Sequence, residues 1–227
     1  MARTDRPAAP ARSRTKKTPR APRKQPPAGA SVTTLPVVQV VSPELRARVE
    51  GRDRLAGQRL AGLDLTGVNL AGASLLACDL RGARLRGANL DGARLALCDL
   101  RGADLSQASL RETTWLGCLV NLAELRDADL GESTLAAVSL AGADLERCSL
   151  EEATFLFSNL GGARLVRARA GEASFLFSAL AGADFTRSRL KDARFVFSWL
   201  KDATFDRAGG LVPATFRFTP FAPPDLA

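Results

Sequence analysis

Four cysteines are the first residues of this 227-residue chain whose type and spacing suggest chemistry. Cys78, Cys98 and Cys118 stand twenty apart and Cys148 follows; such a set could close disulfides or hold a zinc ion. The chain has no histidine to complete a mixed zinc site, and three thiols at one fixed interval fit a stacked ladder whose parallel Cβ vectors do not suit a disulfide. Ser158, Ser178 and Ser198 also stand twenty apart, but a serine nucleophile needs a base, and histidine and tyrosine are both missing. The carboxylates run in regular rows without convergence, and the glycines recur as corners, not as a phosphate loop opening a helix. No catalytic, cofactor-binding or metal site is expected, and no cofactor.

The spacing has a structural origin. From Leu55 to Phe205 every fifth residue is Leu or Phe, except Trp115, Val120 and Ala170. Two residues earlier, from Ala73 to Ala203, the side chain is Ala, Ser, Cys or Thr at every position but Val138. A period of five advances by about 140° on an α-helix and changes face at each repeat on a strand, so neither element can bury these residues continuously. A short extended segment can point the small and the large residue the same way, and the remaining pair, often ending in Gly, then turns a corner. The chain winds into a solenoid with both residues inside.

A second period sets the cross-section. Phe155-Leu156-Phe157-Ser158 returns at 175–178 and, as Phe195-Val196-Phe197-Ser198, at 195–198. Residues twenty apart stack if four five-residue sides complete one coil, which makes the section square. The cysteines and serines then lie at the small interior position, where a thiol packs as a small hydrophobe. Reduced, buried thiols fit a cytoplasmic location.

Runs such as Ala83-Arg84-Leu85-Arg86-Gly87, Ala88-Asn89-Leu90-Asp91-Gly92, Ala103-Asp104-Leu105 and Ala143-Asp144-Leu145 resemble the pentapeptide-repeat family, whose repeat is written A(D/N)LXX. The resemblance covers roughly two thirds of the chain. It implies an all-β fold, a right-handed quadrilateral β-helix of nearly eight coils over 53–207, roughly 37 Å tall at about 4.8 Å per coil.

Outside the repeats, residues 1–31 form a basic, Ala/Pro-rich tail in which Arg12, Arg14, Lys16, Lys17, Arg20, Arg23 and Lys24 recur without an aromatic residue. Too little apolar surface is available to offset its ordering entropy, so disorder is expected, as a solvated tail or as a weak, non-specific nucleic-acid contact. Residues 32–52 read as a linker and N-terminal cap. Ser42-Pro43-Glu44 starts a short helix there. Residues 1–50 hold eleven Lys or Arg against three acids, while 51–227 hold twenty-one of each sign, so the repeats are neutral. No segment reads as a membrane span.

Two local defects stand out. Trp115 exceeds the space that Leu95 and Leu135 fill in its column, which predicts a bulge or an outward side chain. Ala170, between Leu150 and Leu190, predicts a gap. On the outside, Leu156, Leu176 and Val196, with Phe157, Phe177, Phe197 and Trp199, form an apolar edge larger than a monomer leaves bare. Either the segment 208–227 caps it, or a second copy or another protein covers it. The expected function is a non-catalytic scaffold that binds an unidentified protein through the faces of a rigid rod. The alternative implied by the resemblance is a DNA-mimic-like factor acting on DNA gyrase, a type II topoisomerase, with a quinolone-resistance or self-protection role.

Overall fold

The computed structural model describes residues 39–40, 47, 54–212 and 216–219, all within the compact unit Val37–Ala227. The chain forms a parallel-strand β-solenoid of about eight turns. Four sides can be defined by the large interior residues: side 1 holds Leu55, Leu75 and their successors, side 2 Leu60 and Leu80, side 3 Leu65 and Leu85, and side 4 Leu70 and Leu90.

Side 1 forms a strand in every coil. These strands run from β2 (Arg54–Ala56) through β4 (Ser74–Leu76), β5 (Arg94–Ala96), β6 (Thr114–Leu116), β7 (Thr134–Ala136), β8 (Thr154–Leu156) and β9 (Ser174–Leu176) to β10 (Arg194–Val196). Each pairs in parallel with the strand twenty residues on, as Leu75↔Leu95 and Phe155↔Phe175. The other sides are tied by single bridges at the same interval, such as Asp79↔Asp99, Asp104↔Glu124 and Asn89↔Ser109. A twenty-residue register is what four pentads per coil require.

The corners explain the pentad. At Leu60-Ala61-Gly62-Leu63 the last N–H donates back to the Leu60 carbonyl at 3.2 Å and Gly62 has a φ of 67°, the signature of a type II turn. Asp or Asn just before the large residue closes the turn from outside: Asp79, Asn89 and Asp104 each accept the N–H two residues on, at 2.9–3.3 Å. That bond gives the acid or amide of the repeat a physical reason. Among the described residues, twenty positions place a residue other than glycine in the left-handed region, at roughly 1–2 kcal/mol each. From Ala77 to Arg187, and at Phe197, these N–H groups are satisfied by the next coil, as Phe157 N to the Leu176 carbonyl at 3.0 Å.

The interior is filled as expected. Leu100, Leu105, Leu145 and Leu165 are fully buried between Ala or Cys neighbours. Phenylalanine replaces leucine from Phe155 onward on side 1 and from Phe185 onward on side 3. Phe155, Phe175 and Phe195 stack at 4.8–4.9 Å, and Phe185 meets Phe175 and Phe195 edge-on at 5.6–5.7 Å, the two geometries that the ring quadrupole favours.

Trp115 corrects an expectation. Its side chain points inward, 1% exposed, with the register Leu95↔Trp115↔Leu135 unbroken. The indole N–H donates to the Thr113 hydroxyl at 2.8 Å, and that hydroxyl donates to the Leu110 carbonyl at 2.7 Å. Thr in place of Ala thus satisfies the one polar atom of the ring, and Val120 on the next side of the coil returns part of the volume. Leu116, Leu119 and Leu122 point outward while Cys118, Val120 and Ala123 stay inside, so the small-x-large rhythm does not blur. Ala170 is fully buried in its column.

Both ends extend the solenoid. β1 (Gln39–Val40) pairs in parallel with β3 (Leu63–Asp64) on side 3 and covers the first coil. Of the expected N-terminal helix, Ala47 is described and is helical. At the other end β11 (Phe216–Arg217) pairs in parallel with β10 as Phe195↔Phe216, a step of twenty-one residues. Gly210 lies in that step with a φ of 89°, where a Cβ would stand 2.5 Å from the Lys191 nitrogen. Only glycine fits there.

Candidate interaction surfaces

The small column on side 2 holds the residues first considered for chemistry, and the structure makes them packing groups. Ser158 Oγ donates to the Leu135 carbonyl at 2.9 Å and accepts the Val138 N–H at 3.3 Å; Ser178 and Ser198 repeat the pattern one coil apart. Every hydroxyl is buried and satisfied, with no base beside it. Cys78, Cys98 and Cys118 donate to the carbonyls of Leu55, Leu75 and Leu95 at 3.3–3.5 Å. All four cysteines are free thiols, and no group of acids or thiols that could hold a metal occurs among the described residues. Hydrogen bonding to the next thiol and then burial push Cys78 up, and Cys98 is pushed up to about 11, first by its bond with Cys118. Burial pushes Cys148 up as well. Cys118, at the end of the ladder, is pulled down through its bond with Cys98 but is sealed from solvent. We therefore expect a thiol reagent at pH 8 to leave the native protein unlabelled over the time that consumes an exposed cysteine, and to label all four after unfolding. Rapid native labelling would place a thiol outside the core.

Outward residues form columns, and the corner columns are chemically uniform. The corner after side 1 reads Gly57, Ala77, Leu97, Gly117, Ala137, Phe157, Phe177 and Phe197. The corner after side 3 ends in Arg147, Arg167, Arg187 and Arg207, and the corner after side 4 runs Glu112, Glu132, Glu152, Glu172 and Asp192. Sequence reasoning named the phenylalanines but missed the other two columns. The signal was the same twenty-residue interval, read two places after each large residue.

The apolar edge is real. Phe157, Phe177 and Phe197 are 63, 49 and 50% exposed, and their rings stack at 5.2 and 5.1 Å. Leu156, Leu176 and Val196 are half-buried beside them on side 1, and Trp199, 45% exposed, stands just past the corner on side 2. Phe218 stacks on Phe197 at 4.9 Å while Phe216 stacks on Phe195 inside at 5.2 Å. The described part of the C-terminal segment thus lengthens the aromatic column and caps the core beneath it; it does not lie over the exposed rings. Phe216-Arg217-Phe218-Thr219 is a further copy of the Phe-x-Phe-Ser run, displaced by one residue. Thr219 Oγ1 donates to the Phe195 carbonyl at 2.8 Å, as the serines do one coil earlier. The seven basic tail residues from Arg12 to Lys24 lie outside the described residues.

Ion pairs are unevenly spread. Arg81 and Arg101 grip Asp79 and Asp99 at 2.7 Å, Arg147 grips Asp127 at 2.7 Å, and Arg126 and Arg164 share Asp144 at 2.6 and 2.8 Å. The guanidinium of Arg81 holds the Asp79 carboxyl down to about 2, and Arg101 and Arg147 lower Asp99 and Asp127. An unfolded aspartate titrates near ~3.9. Between that value and 2 the unfolded chain takes up protons that native Asp79 does not, so stability is full above about pH 5 and declines as pH falls from about 4 towards 2. Melting temperatures at pH 6, 4 and 2.5 check this; Arg81→Gln should flatten the decline, and an unchanged profile in that variant would refute the assignment.

Eight copies of the pentapeptide-repeat family model match residues 54–87, 78–114, 98–138, 128–167 and 171–207. The chain belongs to the pentapeptide-repeat family. Among solved structures, the chain is similar to full-length QnrB1, a plasmid-mediated fluoroquinolone resistance protein, at 19% identity and a TM-score of 0.42, over 73% of this chain and 90% of that one. It is similar to HetL of the cyanobacterium Nostoc, a pentapeptide repeat protein involved in heterocyst differentiation regulation, at 26% identity and a TM-score of 0.31, over 74 and 94%. A pentapeptide repeat protein of the Arabidopsis thaliana thylakoid lumen is 28% identical with a TM-score of 0.29, over 65 and 74%. No curated protein matches the sequence. Among the described residues no helix is long and apolar enough to cross a membrane.

Proposed function

We propose that this pentapeptide-repeat protein is a non-catalytic scaffold that binds a protein partner along the aromatic corner after side 1. The observation that carries the reading is the uncovered ladder of Phe157, Phe177, Phe197 and Phe218. It belongs to a longer stripe. The outward column Ala56, Leu76, Ala96, Leu116, Ala136, Leu156, Leu176 and Val196 and the corner column beside it contain no polar residue from 56 to 197. Phenylalanines held in a left-handed corner, where glycine costs less, do not serve the solenoid itself. Large, rigid aromatic anchors above an apolar base are what protein interfaces use at their centres.

The ring spacing also favours one shape of partner. The stacked rings recur about every 5 Å, and an α-helix rises about 5.4 Å per turn, so a helix laid along the corner sets one apolar residue per turn against successive ring edges. A second copy of this chain is the competing occupant.

A photo-reactive residue at position 157, in the cell of origin, tests the reading against the same residue at position 84 on side 3. One discrete cross-linked protein from 157 and none from 84 is expected. A product containing only this chain would make the edge a homodimer interface, and equal products from both positions would overturn the proposal. The topoisomerase reading comes from the family resemblance, and the acidic corner that would serve it stands next to an arginine corner that opposes mimicry of DNA. A gyrase supercoiling titration with and without a quinolone is accordingly expected to show no effect.

A further inference from the structure

We propose that the arginine corner after side 3 is a track for the phosphodiester backbone of a nucleic acid duplex. Arg147, Arg167, Arg169, Arg187 and Arg189 line one open groove, with Asp127 at its end. Asp127 is committed to Arg147. Arg167, Arg169, Arg187 and Arg189 are exposed and make no ion pair among the described residues, where Arg81, Arg101 and Arg164 elsewhere on the solenoid do. Arg169 and Arg189 are bridged backbone to backbone, and Arg167 and Arg187 occupy one corner of successive coils. Like charges directly opposite each other on adjacent strands oppose folding. Glycine, found earlier in the same corner at Gly67 and Gly87, would relieve both that repulsion and the left-handed backbone.

The chemistry of the groove selects the ligand. All its cations are arginines, whose planar forks match phosphate and carboxylate oxygens. The lining has no apolar or aromatic side chain, so it lacks the desolvated anchor that a protein partner needs and the stacking platform that a single strand needs. A surface of charge alone fits the regular phosphates of a duplex, held without base readout. Three coil steps of about 4.8 Å from Arg147 to Arg207 make a run of roughly 14 Å, reaching about four base pairs at 3.4 Å each. The cationic chain before the solenoid, eleven Lys or Arg against three acids in residues 1–50, adds charge of the same sign. In the square section this corner is diagonal to the aromatic one, so a protein and a duplex can be held at once.

Fluorescence anisotropy on the full chain tests the proposal with labelled DNA and RNA duplexes of about 20 base pairs, the matching single strand, and poly-glutamate as competitor. The corner variant carries Arg167→Gln, Arg187→Gln, Arg169→Ser and Arg189→Ser. These residue types already stand in the same columns at Gln107 and Ser149, so the fold is expected to hold, and circular dichroism checks that it does. A tail variant replaces the seven basic residues from Arg12 to Lys24 with Gln. The corner variant should lose at least about tenfold in duplex affinity at low salt and flatten the salt slope by roughly three to four, whereas the tail variant should keep that corner-dependent part. Equal binding by wild type and corner variant, or no duplex binding at all, overturns the proposal. So does poly-glutamate or the single strand binding more tightly than either duplex.

Discussion

Leu100→Lys is expected to abolish cooperative folding of the middle coils. Leu100 is fully buried on side 2, close to Cys98 in a wall of small and large apolar groups, with no carboxylate beside it. Its backbone is fastened to both neighbouring coils, with the Leu100 N–H donating to the Leu119 carbonyl at 2.7 Å and the Leu80 N–H donating to the Asp99 carbonyl at 2.7 Å. An ammonium group there has no path to water and no partner. An uncompensated buried charge costs roughly 3–5 kcal/mol, against a total stability of about 5–15 kcal/mol for a domain. Each coil touches only its neighbours, so the damage should first appear as new protease cleavage near residue 100 and a broadened, lowered melt. Leu100→Met conserves volume and should cost less than about 1.5 kcal/mol. A Lys variant that melts like the wild type would mean that Leu100 does not face the interior.

Phe177→Asp is expected to separate binding from folding. Phe177 sits between Phe157 and Phe197, with ring centroids 5.2 and 5.1 Å away, yet half of its surface is open to solvent. Its removal forfeits two partly hydrated stacks, so the melting temperature should move by only a few degrees, about 1 kcal/mol. At an interface the same change deletes a central anchor and inserts a charge that must be desolvated. Loss of 2 kcal/mol or more, roughly thirtyfold in affinity, is expected for the partner found by cross-linking at position 157. Phe177→Leu, which keeps an apolar side chain but no ring, should fall between. Undiminished binding by the Asp variant would remove the aromatic corner from the interface, and a collapse of stability would show that the ladder mainly holds the coils together.

Much of this was legible in the chain itself. The five-residue interval of Leu and Phe has only one way to bury every member, and the twenty-residue return of Phe-x-Phe-Ser fixes four sides per coil. The absence of histidine and the placement of Cys78, Cys98 and Ser158 at the small position were enough to withdraw them from chemistry. The structure buries these hydroxyls and thiols and bonds each to a backbone carbonyl. Trp115 was misread because side-chain volume alone argued for expulsion, whereas the outcome turned on Thr113 and Val120, a donor's partner and a missing methylene that act only once the coil is closed.

The interaction surfaces needed the tertiary structure. In sequence, Arg147, Arg167 and Arg187 are isolated charges in a chain segment that is neutral as a whole, and Glu152, Glu172 and Asp192 look like their counter-ions. Corner geometry points the two sets outward from different edges of the square, where they cannot pair, and stacks each at the coil spacing. The C-terminal segment likewise has no periodic signal across its twenty-one-residue step. Whether Phe218 would cover the aromatic edge or prolong it depended on the backbone pairing of Phe216 with Phe195. Periodicity determines which residues are buried, because burial repeats with the chain; which exposed residues meet is set by the twist and closure of the coil, distances that one period along the sequence does not carry.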